Sequence, residues 1–90
     1  MQKTIITVVG KDAVGIIAKV STYLSDHQVN ILDITQTIVD GFFNMMMIVD
    51  TSGSELTTAE LSRGLDEVGV DAGVTIHAQH EDIFNMMHRI

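Results

Sequence analysis

The dipeptide Asp40-Gly41 lies between two long apolar runs, and no other feature limits the folding options of this 90-residue chain as sharply. An Asp-Gly connection favours a two-residue type I′ hairpin, in which both central residues take positive φ and the flanking strands keep their right-handed twist. Val29 to Val39, carrying Ile31, Leu32, Ile34 and Ile38, must then pair antiparallel with Phe42 to Asp50. The turn sets the register, with Val39 opposite Phe42 and Ile38 opposite Phe43. Leu32, Ile34, Gln36 and Ile38 thereby share one face with Phe43, Met45, Met47 and Val49, which we take as the core face. The opposite face mixes Asp33, Thr35, Thr37, Asn44 and Asp50 with Val39, Phe42, Met46 and Ile48. That is more apolar than a solvated face requires, so part of it should be covered.

The remaining segments complete an alternating order. Lys3 to Val9 is rich in β-branched residues on both alternating faces, as in a central strand buried on two sides. Gly10-Lys11-Asp12 breaks that run, and Ala13 to His27 sets Ile16, Ile17, Val20 and Leu24 at helical spacing. Asp12 suits the N-cap of this helix, where its carboxylate would accept a first-turn N–H. Thr57-Thr58-Ala59-Glu60 matches a capping box, and Leu56 with Leu61 can form a hydrophobic staple around it. Leu61, Leu65 and Val68 continue a second apolar stripe, which Gly69 is placed to terminate. Ala72, Val74, Ile76 and Ala78 alternate with polar residues as in a half-covered fourth strand. Glu81 to Ile90 reads as a short terminal helix. The order β-α-β-β-α-β defines a ferredoxin-like α+β fold, four antiparallel strands with two helices on one face. The expected organisation is one domain over residues 1–80 and a helical tail over 81–90.

Composition narrows the function classes. Five Lys and Arg against twelve Asp and Glu give a formal charge of −7, whereas a phosphate-backbone binder needs a basic face. Nucleic acid and anionic membrane surfaces are therefore not expected partners. With no cysteine, disulfides, thiolate catalysis and Cys-rich metal sites are excluded, and the count suits a reducing cytoplasm. The N-terminus shows no secretory leader pattern, and no apolar run approaches the roughly 20 residues of a membrane span. His77, His80, Glu81, Asp82 and His88 are the only clustered metal-ligand types, but strand alternation sends His77 and His80 to opposite faces. No spacing joins a nucleophile to a base, so no catalytic residues and no cofactor are assigned. The Met45-Met46-Met47 run reads as core filling.

The segment Gly10-Lys11-Asp12-Ala13-Val14-Gly15-Ile16-Ile17, followed after the helix by Val29-Asn30-Ile31, carries the most information. Gly15 falls in the first turn of a helix, where it costs about 1 kcal/mol relative to Ala. It serves either close packing of the helix on a strand or the approach of a ligand to exposed N–H groups.

These residues, together with the hairpin returning through Phe43 and Met45, resemble the ACT domain over essentially Thr4 to Ala78. The likeness is greatest to stand-alone ACT proteins and to the ACT regions of glycine-cleavage-system regulators and formyltetrahydrofolate hydrolases. There a Gly-x-Asp start, a Gly-Ile turn and an Asn-Ile strand recur. The ending Ile83-Phe84-Asn85-Met86-Met87-His88-Arg89-Ile90 is similar to that of a stand-alone group.

The resemblance implies a regulatory module in which two copies associate and an amino-acid effector binds between the first strand–helix loop and the start of strand two. Carried over by position, Asp12 stands where a serine-sensing relative holds its ligand with Asn, Gly15 matches the family glycine and Asn30 the interfacial Asn. Gly10 replaces a ligand-contacting His, and the charge on Asp12 would favour an α-amino group and repel an α-carboxylate. The implied ligand-binding residues are Gly10, Lys11, Asp12, Ala13, Val14, Gly15, Asn30 and Ile31. Asp12 could equally serve as a cap alone. The expectation is a cytoplasmic, non-catalytic sensor of an amino acid or related metabolite, homodimeric and acting through its assembly or an unidentified protein partner. The alternative is a pure homo- or hetero-oligomerisation module without ligand.

Overall fold

A computed structural model describes residues 2–11 and 15–80. The elements run β1 (Lys3–Gly10), α1 (Ile16–Asp26), β2 (Asn30–Val39), β3 (Phe42–Asp50), α2 (Thr58–Ala72) and β4 (Thr75–His80). They form one antiparallel sheet in the order β2-β3-β1-β4, the ferredoxin-like arrangement expected. The terminal helix expected over 81–90 lies outside the described residues.

The hairpin follows its turn chemistry. Asp40 and Gly41 both take positive φ, 52° and 81°, and Val39 faces Phe42 while Ile38 faces Phe43. One departure appears further along. A bulge at Leu32 shifts the register, so Ile31 takes the place opposite Val49 that unbroken pairing would give to Leu32. Ile31 consequently packs on the core, while Leu32 is exposed.

The core lies between the sheet and the helices. Ile6 and Val8 from β1, Met45, Met47 and Val49 from β3 and Ile76 from β4 meet Val20 and Leu24 of α1 and Leu61 and Leu65 of α2. The helical layer stops short of β2. Ile34 and Ile38 keep their core-side register with Met47 and Phe43, yet are 39% and 73% exposed.

The two helices start differently. The α2 capping box is complete: Glu60 N–H donates to Thr57 Oγ1 at 3.1 Å, and Thr57 N–H donates to Glu60 Oε1 at 2.9 Å. Leu61 is buried beneath it and Leu56 packs alongside. At α1 the expectation of an Asp12 cap is corrected. Helix α1 opens at Ile16, and Gly15 holds the cap position in a left-handed conformation, φ 77°, with no side-chain cap.

The end of α2 also differs. The helix continues through Gly69 to Ala72, and Gly73 takes the left-handed position, φ 76°. Val74 N–H donates to Gly69 O at 2.8 Å and Gly73 N–H to Val70 O at 3.3 Å, a Schellman motif. Gly69 is glycine for another reason: a β-carbon there would stand 2.8 Å from the Val74 carbonyl oxygen. Ala72 therefore belongs to the helix, and β4 begins only at Thr75.

Candidate functional site

The first strand–helix loop begins where β1 ends. Gly10 faces Phe43 across the sheet, and a β-carbon on it would run into the Val74 side chain. The glycine therefore lets the α2–β4 connection close against the sheet. Lys11 is exposed, with its ammonium 6.0 Å from the centroid of the Phe42 ring, a cation–π contact between the loop and the hairpin end. Asp12, Ala13 and Val14 lie outside the described residues. Gly15 is exposed, and its carbonyl accepts the Lys19 N–H at 3.0 Å. A β-carbon on it would meet nothing within 4 Å, so φ alone demands glycine there.

Asn30 and Ile31 are placed by the end of α1. Val29 N–H donates to Leu24 O at 2.9 Å and Gln28 N–H to Ser25 O at 3.0 Å, while Gln28 takes φ 60°. That reversal delivers Asn30 to the first position of β2, exposed and opposite Asp50. Ser21, Ser25, Gln28 and Asn30 border a concavity of about 460 Å³ that also reaches Val29 and Ile31. Its hydrogen-bonding side chains are all uncharged. Sequence reasoning missed the two serines, although their four-residue spacing on a helix already set them on one face.

The two halves of the expected site stand at opposite ends of the sheet. Asn30 shares a row with Asp50 and Lys3, whereas Gly10 shares one with Phe43 and Ile38. Seven strand steps separate the rows, about 23 Å at ~3.3 Å per residue. Within one subunit Asn30 and Gly10 therefore lie at opposite ends of the sheet.

Among the described residues no strand pairs with the outer edge of β2. Nine of its ten residues are exposed, and its apolar side chains protrude on both faces, Ile34 and Ile38 on one and Val39 on the other. Asp33 is its one charged residue, slight protection for an edge strand of that length.

Polar contacts fasten the Asn30 end. Asp50 Oδ1 accepts Ser52 N–H at 3.0 Å, Ser52 Oγ–H at 2.7 Å and Gln2 N–H at 3.2 Å. These donors, the Ser52 amide foremost, hold the Asp50 carboxyl below its ordinary value. His27 Nδ1 lies 2.8 Å from Glu55 Oε1, tying the end of α1 to the β3–α2 loop and lowering the Glu55 carboxyl. Among the described residues no group of three His, Asp or Glu could hold a metal ion. His77 lies opposite Thr7, on the face away from the helices; Glu81, Asp82 and His88 fall outside the described residues. No described helix is long and apolar enough to cross a membrane.

An antiparallel four-stranded sheet with both helices on one side and a bare β2 edge places the chain among small ferredoxin-like modules. Within that class it belongs to the ACT domain family, whose model matches residues 2–79. Members of that family are generally regulatory, ligand-binding domains. A UPF0237 protein of Bifidobacterium longum is 58% identical over 90 residues, covering 100% of both chains. An ACT domain protein from Streptococcus pneumoniae superposes with a TM-score of 0.83 at 38% identity, covering 92% of this chain and 93% of that one. A formyltetrahydrofolate deformylase from Pseudomonas syringae shares the fold, with a TM-score of 0.80 at 18% identity over 89% of this chain and 28% of its own.

Proposed function

We propose that this chain is a non-catalytic cytoplasmic sensor of an amino acid or related metabolite, working as a homodimer with the site shared between copies. The separation of Asn30 from the Gly10–Gly15 loop carries this reading. If two β2 edges pair antiparallel about a two-fold axis, the Asn30 end of one strand comes level with the loop end of the other. That pairing would satisfy the bare edge and bring Ile34 and Ile38 under the partner's helical layer. Each composite site would combine Lys11 to Gly15 of one copy with Asn30 and Ile31 of its partner. Occupancy would then alter the assembly, which is the signal a further protein can read.

The test is a thermal-shift screen against amino acids and related metabolites, followed by complementation. A saturating ligand at about 100 times Kd should add about 2.7 kcal/mol, a shift of many degrees for a domain this small. Lys11→Ala and Asn30→Ala dimers should each bind poorly, while each mixed dimer should recover one of its two sites, about a quarter of all sites in a freely exchanging equimolar mixture. Sedimentation equilibrium at micromolar concentration showing only a 9.8 kDa monomer would overturn the shared site.

One observation favours the reading without ligand. Gly10 is accounted for by Val74 and Gly15 by its positive φ, so neither glycine requires a bound molecule. A pure homo- or hetero-oligomerisation module predicts association along β2 with no metabolite moving the melting temperature.

A further inference from the structure

A groove of about 570 Å³ runs between α1 and α2 on the exposed side of the helical layer. Its floor depends on Gly64: a β-carbon there would run into the Tyr23 hydroxyl, so the phenol lies across α2 only because that position is bare. Ala18 and Val68 extend the apolar floor, while Asp26, Glu67 and Asp71 stand along the rim. From Ala18 to Asp26 the α1 wall spans about 12 Å, two helical turns.

The charge around this groove is lopsided. The helical layer and the loop leading into α2 expose Asp26, Glu55, Glu60, Asp66, Glu67 and Asp71 against only Lys19 and Arg63. Lys19 is already engaged, 3.2 Å from Asp71. Burial, and then the neighbouring carboxylates of Glu67, Glu55 and Glu60, raise the Tyr23 phenol above its ordinary value, which marks negative potential at the floor. Beside the rim Val70 is 84% exposed, an apolar side chain next to Asp66, Glu67 and Asp71.

We propose that the α1–α2 groove is a docking site for a cationic amphipathic helix of another protein. Its apolar side chains would seat over Tyr23, Gly64 and Val68, and its Lys or Arg residues would meet Asp26, Glu67 and Asp71. Both walls are helices whose backbone groups are bonded internally, so the groove offers no strand edge for an extended peptide. A second copy of this chain is a poor occupant, because its own helical face is acidic and like charges would oppose each other. The groove also lies apart from β2, so it stays open when two copies pair along that edge. Docking in this groove requires no bound metabolite.

Tyr23 is the only tyrosine and the chain has no tryptophan, so the chain's intrinsic emission reports on this groove. The probe is a synthetic peptide of about 14 residues, roughly four helical turns, built from Leu and Lys at amphipathic helical spacing. Titration should change Tyr23 emission saturably. Glu67→Gln combined with Asp71→Asn should weaken binding about three- to tenfold, as expected for two exposed charge pairs. Circular dichroism should show those surface variants folded. A Leu/Glu peptide of the same pattern should leave the emission unchanged. Equal binding by a scrambled Leu/Lys peptide or by spermidine would overturn the proposal, since diffuse charge attraction would then suffice. Unchanged affinity in the Glu67/Asp71 double variant would overturn it as well.

Discussion

Val74 fills the space that a side chain on Gly10 would need: a β-carbon on Gly10 would lie 3.0 Å from Val74 Cβ and closer still to one of its methyl groups. Gly10→Ala should therefore lower stability by about 1 to 3 kcal/mol through overpacking. Urea denaturation checks this. Val74→Ala in the same chain should make the combined loss smaller than the sum of the single losses, because the two positions share one space.

Gly15 behaves differently. Its surroundings are empty, so Gly15→Ala should cost about 1 to 2 kcal/mol from the left-handed backbone alone. Gly15→Asn should cost less, since Asn tolerates that region better. Equal urea midpoints for wild type and Gly15→Ala would contradict the conformational role.

Acidification should weaken the fold through Asp50. Its carboxyl is depressed in the folded state, chiefly by the Ser52 amide. The stabilisation is therefore complete above the unfolded carboxylate value and is lost as pH falls through the folded one. Glu55, held down by His27, and Glu60, held down by Thr57, act with the same sign. Melting temperature should decline below the ordinary carboxylate range. Asp50→Asn should melt lower at neutral pH and show a shallower acid slope, and an unchanged slope would contradict the assignment.

Thr57→Ala should cost about 1 kcal/mol, the usual loss for an N-cap hydroxyl. Glu60→Ala should cost less, because its carboxylate is fully exposed and only the Thr57 amide loses a partner. Thermal unfolding of both variants and the double variant would show coupling within the capping box.

The elements legible in the sequence were those whose causes are local. Asp40-Gly41 carries its own turn geometry, and Thr57 with Glu60 carries its own cap. Features set by distant neighbours were not legible. Gly69 has the look of a helix terminator, but its glycine answers to the Val74 carbonyl after the chain has turned back, and Gly73 makes the termination. The bulge at Leu32 exchanges Ile31 for Leu32 on the core side, and no residue near it announces an irregularity. Gly15 is legible as a special glycine, yet α1 opens at Ile16 rather than Ala13, which puts Gly15 at the cap and not in the first turn.

The candidate site was legible as residue types and not as a place. The βαββ order already makes β1 and β2 parallel, which sets the end of one and the start of the other far apart. What joins Asn30 to the loop is the family resemblance, which pairs them across two copies. The uncovered Ile34 and Ile38 followed only from how far α1 and α2 extend over the sheet, a matter of packing that strand periodicity does not contain.

The distance between Asn30 and the Gly10–Gly15 loop also bears on dosage. A molecule of amino-acid size cannot touch both within one chain, so a response that needs both is second order in protein. Diluting the protein would weaken its apparent affinity for ligand, and raising its expression would sharpen it with no change in sequence. The threshold of such a sensor is then set as much by how many copies a cell makes as by the chemistry of its pocket.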